Sequence, residues 1–190
     1  MTNIDYLVGI LDGEGCFTIR IQKGMTKTLG IRVRFQPQAS VSNTDLKLIN
    51  YVKEILTKYN IKFSYYLKKK KYPNKLQYEV MIYPTALRKL IPLIFLRPYF
   101  AKRREAEILM EALDLTQKHK SDGFKGGWGR QPLTTETLKK FDALRTELVG
   151  LHGRQAKSLI KLKAEDFVTD LDVAREKARD GWKATKPQIK

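Results

Sequence analysis

Leu7-Val8-Gly9-Ile10-Leu11-Asp12-Gly13-Glu14-Gly15 is the stretch on which the reading of this 190-residue chain turns. It belongs to a short apolar run, Ile4 to Leu11, with acids only at Asp5 and Asp12. Thr2 or Asn3 can cap the start of a helix here, and Gly13 and Gly15 can stop it. A helix apolar nearly all round is expected to be buried. Gly9 and Gly13 lie four residues apart and so share one face. Their missing side chains let a second helix approach backbone to backbone, as in small-xxx-small contacts. Asp12 and Glu14 then stand at the C-terminal end of that helix, the negative end of its dipole. Carboxylates in that position call for a counter-charge, and a divalent cation supplies one.

Working outward, Phe17, Ile19 and Ile21 alternate with Thr18, Arg20 and Gln22, the period of a half-buried strand over Cys16 to Lys23. After a loop over Gly24 to Gly30 the alternation resumes from Ile31 to Val41. Ile31, Val33, Phe35, Pro37, Ala39 and Val41 face one way, and Arg32, Arg34, Gln36, Gln38 and Ser40 the other. Pro37 suggests a bulge or an edge position. The polar face holds arginine and glutamine and no acid. Arginine pairs with guanine O6 and N7, and glutamine with adenine N6 and N7.

Asn43 or Thr44 can cap a helix reaching about Tyr59, with Leu46, Ile49, Val52, Ile55 and Leu56 at helical spacing. Phe63 to Lys71 and Lys75 to Tyr83 read as a hairpin around Tyr72-Pro73-Asn74. Thr85 to about Phe95 is a helix interrupted or ended by Pro92, and Pro98 fits the first turn of the next, which runs to about Leu115. Residues 119 to 132 are Gly-rich, basic and polar, like a linker. Thr134 to Leu151 gives a capped amphipathic helix with Leu138, Phe141, Leu144, Leu148 and Leu151, and Ala164 to about Trp182 gives another.

Composition narrows the partner. The net charge is +17, which points to a polyanion. Between Cys16 and Lys75 there are fourteen Lys or Arg against two acids, Asp45 and Glu54, so most of the excess sits on these strands and the helix between them. That concentration favours phosphate contact. A single cysteine, Cys16, excludes an internal disulfide and fits an intracellular, reducing compartment. No apolar run reaches a membrane span, and no basic region precedes the first apolar run, so neither a transmembrane helix nor a signal peptide is expected. Two histidines, His119 and His152, are too few for a zinc finger or a His-Asn-His nuclease site. Walker A and strand-linked GxGxxG motifs are absent.

The opening stretch resembles the LAGLIDADG motif of homing endonucleases. Leu7, Gly9, Asp12, Gly13 and Gly15 match it, Val8 takes the alanine position and Glu14 the acidic one. The resemblance covers roughly residues 3 to 115 and one copy of the motif. It implies an α+β fold with an αββαββα core and a saddle-shaped antiparallel sheet lying across the DNA. The division expected from it is a DNA-binding and cleavage core over 1–117 and a basic linker with a C-terminal helical extension over 118–190. It implies hydrolysis of both strands of a long near-palindromic DNA target by a homodimer with Mg²⁺, with intron encoding as the expected setting. The alternatives are an RNA maturase acting on its host intron and a non-cutting DNA-binding regulator.

The same resemblance assigns residues. Glu14 is the metal-binding acid, with Gly13 beside it as a further metal contact. Asn43 matches a water-positioning position, though it is equally a good N-cap; Lys47 matches a basic position and Lys102 a lysine held near the metal. Expected at the DNA are Arg20, Gln22, Arg32, Arg34, Gln36, Gln38 and Ser40, with Lys68, Lys69, Lys70, Lys71, Lys75 and Gln77 of the hairpin. Leu7, Gly9, Ile10, Asp12 and Gly13 are expected between the two protomers, Asp12 with a structural role at the helix end that ties to the partner chain.

Overall fold

The computed structural model describes residues 3–26, 30–68, 76–121 and 135–152. The elements run α1 (Asn3–Glu14), β1 (Gly15–Thr26), β2 (Gly30–Asn43), α2 (Leu46–Lys58), β3 (Ser64–Lys68), β4 (Gln77–Ile82), α3 (Pro84–Phe95), α4 (Arg103–Ser121) and α5 (Thr135–Leu151). The strands form one antiparallel sheet in the order β1-β2-β4-β3. The expected helix over Ala164 to Trp182 and the lysines Lys69, Lys70, Lys71 and Lys75 lie outside the described residues.

The first unit comprises residues 1–20 and 36–114. Its core follows from alternation. Phe17 and Ile19 of β1, Ala39 and Val41 of β2 and Val80 and Ile82 of β4 are almost wholly buried. Helical spacing does the same for Ile49, Val52, Ile55 and Leu56 on α2 and for Leu87, Leu90, Ile91 and Ile94 on α3. Register fixes which side chains share the opposite, outer face. Ser42 pairs with Glu79 and Ser40 with Met81, while Tyr66 pairs with Glu79 and Lys68 with Gln77.

Several boundaries differ from the sequence reading, each for a physical reason. The first helix does not stop at Gly13; it runs to Glu14, and the break comes at Gly15. A Cβ there would lie 2.3 Å from the Leu11 carbonyl oxygen, so only glycine lets the chain leave the helix this closely. Pro37 is neither at an edge strand nor out of place, for β2 is central. On the β4 side it lies beyond the last pair, since β4 ends at Ile82 opposite Ala39. The cap of α2 is Asp45, whose Oδ1 accepts from Lys47 N at 2.8 Å. Pro92 sits inside α3 without ending it. The helix after α3 begins at Arg103, not Pro98, and α4 continues to Ser121.

The second unit comprises residues 21–35 and 115–190. Within it Phe35 of β2 and Phe141 of α5 stack, ring centroids 4.6 Å apart and planes 3° from parallel. Leu138 and Leu148 are buried with them, whereas Leu151, expected in the same stripe, is exposed.

Candidate active site

The end of α1 is held by two reciprocal ties. Asp12 accepts the backbone N–H groups of Ala101 and Lys102, each at 3.2 Å. Lys102 Nζ in turn donates to the carbonyls of Leu11 at 3.2 Å and Gly15 at 2.6 Å. A helix leaves its last carbonyls unpaired, and a cation satisfies them and the dipole together. Asp12 therefore ties α1 to the start of α4 within one chain, a structural role at the helix end. At the other end of α1, Asp5 accepts from Arg97 and, at 3.0 Å, from Tyr99. The Asp5 carboxylate pushes the Arg97 guanidinium up, and burial followed by the bond to Asp5 pushes the Tyr99 hydroxyl up.

Glu14, the last residue of α1, is exposed and has no hydrogen bond or ion pair among the described residues. Its neighbour Lys102 is committed to carbonyls. Glu14 is thus a carboxylate at a helix C-terminus with nothing of opposite charge bonded to it. One such acid is too few for a metal cage, and no group of three His, Cys, Asp or Glu fit for a metal occurs among the described residues. The donor chemistry, one hard carboxylate beside backbone carbonyls, suits Mg²⁺ or Ca²⁺ with the remaining positions left to water and phosphate.

Gly9 and Gly13 are exposed, and a Cβ on either would meet no described atom within 4 Å. Tyr6 joins them on the open stripe of α1, its ring set edge-on to Tyr51 of α2 at 4.9 Å. Leu7 and Ile10 turn the other way, at 0% and 8% exposure. They pack into the core of their own chain, which leaves the glycine face as the open side of α1.

Asn43 closes β2 opposite Tyr78. Its Oδ1 accepts from Asp45 N at 2.8 Å, so the side chain supports the turn ahead of α2 without being its cap. Lys47 is exposed in the first turn of α2. The electrostatic surroundings of Cys16 join the two sides of this region. Burial pushes the thiol up, Glu105 and Glu79 push the same way, and Lys102 and Lys68 oppose them.

The outer sheet face has a feature the sequence reading missed. Glu79 is buried, and its Oε1 accepts from Lys68 Nζ at 2.6 Å and from Ser42 Oγ at 3.1 Å. Alternation along Gln77, Glu79 and Met81 put Glu79 on this face; the register that delivers Lys68 and Ser42 to it was not readable. Nearby, the Tyr66 and Tyr83 hydroxyls lie 2.7 Å apart. The bond to Tyr83 lowers Tyr66, and the same bond raises Tyr83. Arg20 is exposed and within electrostatic reach of both tyrosines. Gln36 and Gln77 are half-buried. Gln38 and Ser40, expected as base contacts, are only 6% and 7% exposed. Both side chains are buried, and Gln38 Oε1 has no hydrogen-bond partner among the described residues. The side chains of Gln22, Arg32 and Arg34 lie outside the described residues.

This fold and motif define a class. The sequence profile of the LAGLIDADG endonuclease family matches residues 7–106, just over half the chain, and the chain belongs to that family of homing endonucleases. No curated protein sequence matches it. Among solved structures it is similar to the homing endonuclease I-CvuI, determined with a DNA target and Mg²⁺, with the DNA not cleaved. The identity is 15%, the TM-score 0.60, and the match covers 93% of this chain and 92% of that one. The archaeal intron-encoded homing endonuclease I-Vdi141I, complexed with DNA, is 18% identical with a TM-score of 0.56, covering 95% and 96% of the two chains. Against the meganuclease I-CpaMI, bound to uncleaved DNA, identity is 20% and the TM-score 0.58, but the match covers 78% of this chain and only 44% of that one. At such identities the likeness is one of fold.

Proposed function

We propose that this chain is a site-specific homing endonuclease that cuts both strands of a near-palindromic duplex as a homodimer using Mg²⁺, and that it is encoded within an intron in an intracellular, reducing setting. One observation carries the reading: Glu14 is exposed, with no ion pair among the described residues, at the end of a helix whose glycine face meets no described atom. Gly9 and Gly13 each cost α1 about 1 kcal/mol relative to alanine. No packing within the described chain offsets that cost. A second copy of α1 against the same face offsets it and brings a second Glu14 to the first. The resulting contact is isologous, as C2 symmetry requires, and a two-fold reader matches a near-palindromic target.

In this arrangement the two Glu14 carboxylates would hold the metal, with the carbonyl of Gly13 on the adjoining backbone. Mg²⁺ supplies an activated water and charge neutralisation at the scissile phosphate. Lys102 keeps the end of α1 closed and holds a positive charge one residue from Glu14. Asn43 still has its side-chain amide N–H groups to donate once Oδ1 is used. They suit a role in positioning the water. Lys47 offers a cation to phosphate at the start of α2. Arg20, Gln36, Gln77 and Lys68 present donors on the outer sheet face for base edges and phosphates, with Gln22, Arg32 and Arg34 continuing the same sequence pattern.

The test is selection from a library of duplexes by the purified protein. With Mg²⁺ it should recover cut molecules sharing one near-palindromic sequence, and with EDTA none. Recovery of cut duplexes without any shared sequence would overturn the site-specific reading, and equal cutting in EDTA would overturn the metal.

A further inference from the structure

Strand alternation sends Tyr65, Leu67 and Tyr78 to the side of the sheet opposite Glu79 and Lys68, the side on which α2 packs. There Tyr65 pairs across strands with Val80 and Leu67 with Tyr78. These residues sit beyond the end of the core. Tyr65, Leu67 and Leu76 are 40%, 47% and 49% exposed. The Tyr65 and Tyr78 rings lie nearly parallel, 9° apart, with centroids at 6.3 Å. Lys53 of α2 places its Nζ 4.6 Å from the centre of the Tyr65 ring.

An open groove of about 360 Å³ lies alongside, lined by Thr57, Asn60, Ile61, Lys62 and Phe63. Phe63, in the groove lining, lies two residues ahead of Tyr65 in the chain. Thr57 and Lys53 are one helical turn apart, joined by a bond from Thr57 Oγ1 to the Lys53 carbonyl at 2.8 Å. Lys89 reaches the Asn60 carbonyl at 3.5 Å. Platform and groove are therefore continuous. Lys53 over the Tyr65 ring, Lys62 in the groove lining and Lys89 at the Asn60 carbonyl set positive charge along them.

The chemistry selects the occupant. Cations alone would take any phosphate, and exposed apolar rings alone would suit a protein. Flat aromatic rings interleaved with lysines fit a strand whose bases are unpaired, because stacking needs an open base face and lysines need a backbone phosphate. A duplex hides its base faces. We propose that Tyr65, Tyr78 and Lys53 with the adjoining groove form a second nucleic-acid site, on the helical side of the sheet, which takes a short single-stranded segment independently of the duplex DNA proposed for the outer side. Lys53 leaves its ring for phosphate when a base stacks on Tyr65.

The experiment measures fluorescence anisotropy of a labelled mixed-sequence single-stranded RNA of roughly ten nucleotides on the full-length protein. A parallel arm uses single-stranded DNA of the same sequence, and both are repeated with excess unlabelled duplex DNA. The single strands should stay bound when duplex is saturating. Tyr65→Ser should weaken them about tenfold and Tyr65→Phe should restore binding, while duplex affinity stays within about twofold. Lys53→Ala combined with Lys62→Ala should weaken them similarly and reduce the salt dependence, which keeps the test decisive if Tyr65→Ser folds poorly. Complete displacement by duplex, or unchanged single-strand binding in both variants, would overturn the proposal. Because duplex binding is read separately, its failure is distinct from failure of the endonuclease reading.

Discussion

Gly15 and Gly9 look alike in the sequence and have opposite reasons to be glycine. At Gly15 a Cβ would meet the Leu11 carbonyl oxygen at 2.3 Å, which is backbone and cannot step aside. At Gly9 it would meet nothing described within 4 Å. Gly15→Ala should therefore lower stability by about 1–3 kcal/mol, and Gly9→Ala should leave it level or slightly raised. Urea denaturation of the two variants checks the contrast, and equal losses would contradict it. The positions of Glu14 at the helix end and of the glycines on one face were legible from type and spacing, and the structural role of Asp12 at the helix end was expected. Its partners, the amides of Ala101 and Lys102, were not, because the chain's return brings them and no local pattern encodes it. The depth of Gln38 and Ser40 was not legible for a related reason. Alternation tells which face a residue takes but not how deeply its neighbours bury it. The same gap hid Glu79. Its carboxylate is buried against Lys68 and Ser42, so Lys68→Met should strand a desolvated charge and cost about 1–3 kcal/mol. Lys68→Met combined with Glu79→Gln should recover part of that loss in the same denaturation assay; no recovery would mean that the pair is not coupled.

At the scale of elements, α1 reads as a helix with two customers. One side packs Ile4, Leu7, Val8, Ile10 and Leu11 into its own chain, and the other leaves Tyr6, Gly9 and Gly13 open. Gly9→Leu should abolish association while leaving the thermal unfolding of the chain little changed, since the added side chain meets no described atom. Sedimentation measures this directly; an unchanged dimer would put the interface elsewhere. The strands and helices themselves were largely readable from their periods. What failed were ends governed by single contacts, such as the Asp45 cap and the late start of α4 at Arg103.

For the whole molecule, the region after α4 was the least legible. Its apolar stripes required some surface to cover, but the sequence could not say which. The stacked rings of Phe35 and Phe141 join β2 to α5. Phe141→Ala should cost about 3–5 kcal/mol by removing a buried aromatic ring. A loss under 1 kcal/mol in thermal or urea unfolding would make α5 a loosely held appendage. We propose that the region from residue 118 onward adds backbone contacts to DNA and takes no part in chemistry.

The account rests on one acid per chain completing a metal site in pairs. Its most direct test is Mg²⁺-dependent cleavage of the selected duplex by purified Glu14→Gln beside wild type, with binding measured in Ca²⁺ for both. Wild type should cut both strands, and Glu14→Gln should bind the duplex with affinity close to wild type and cut neither strand. Cleavage by Glu14→Gln at the wild-type rate would contradict the account.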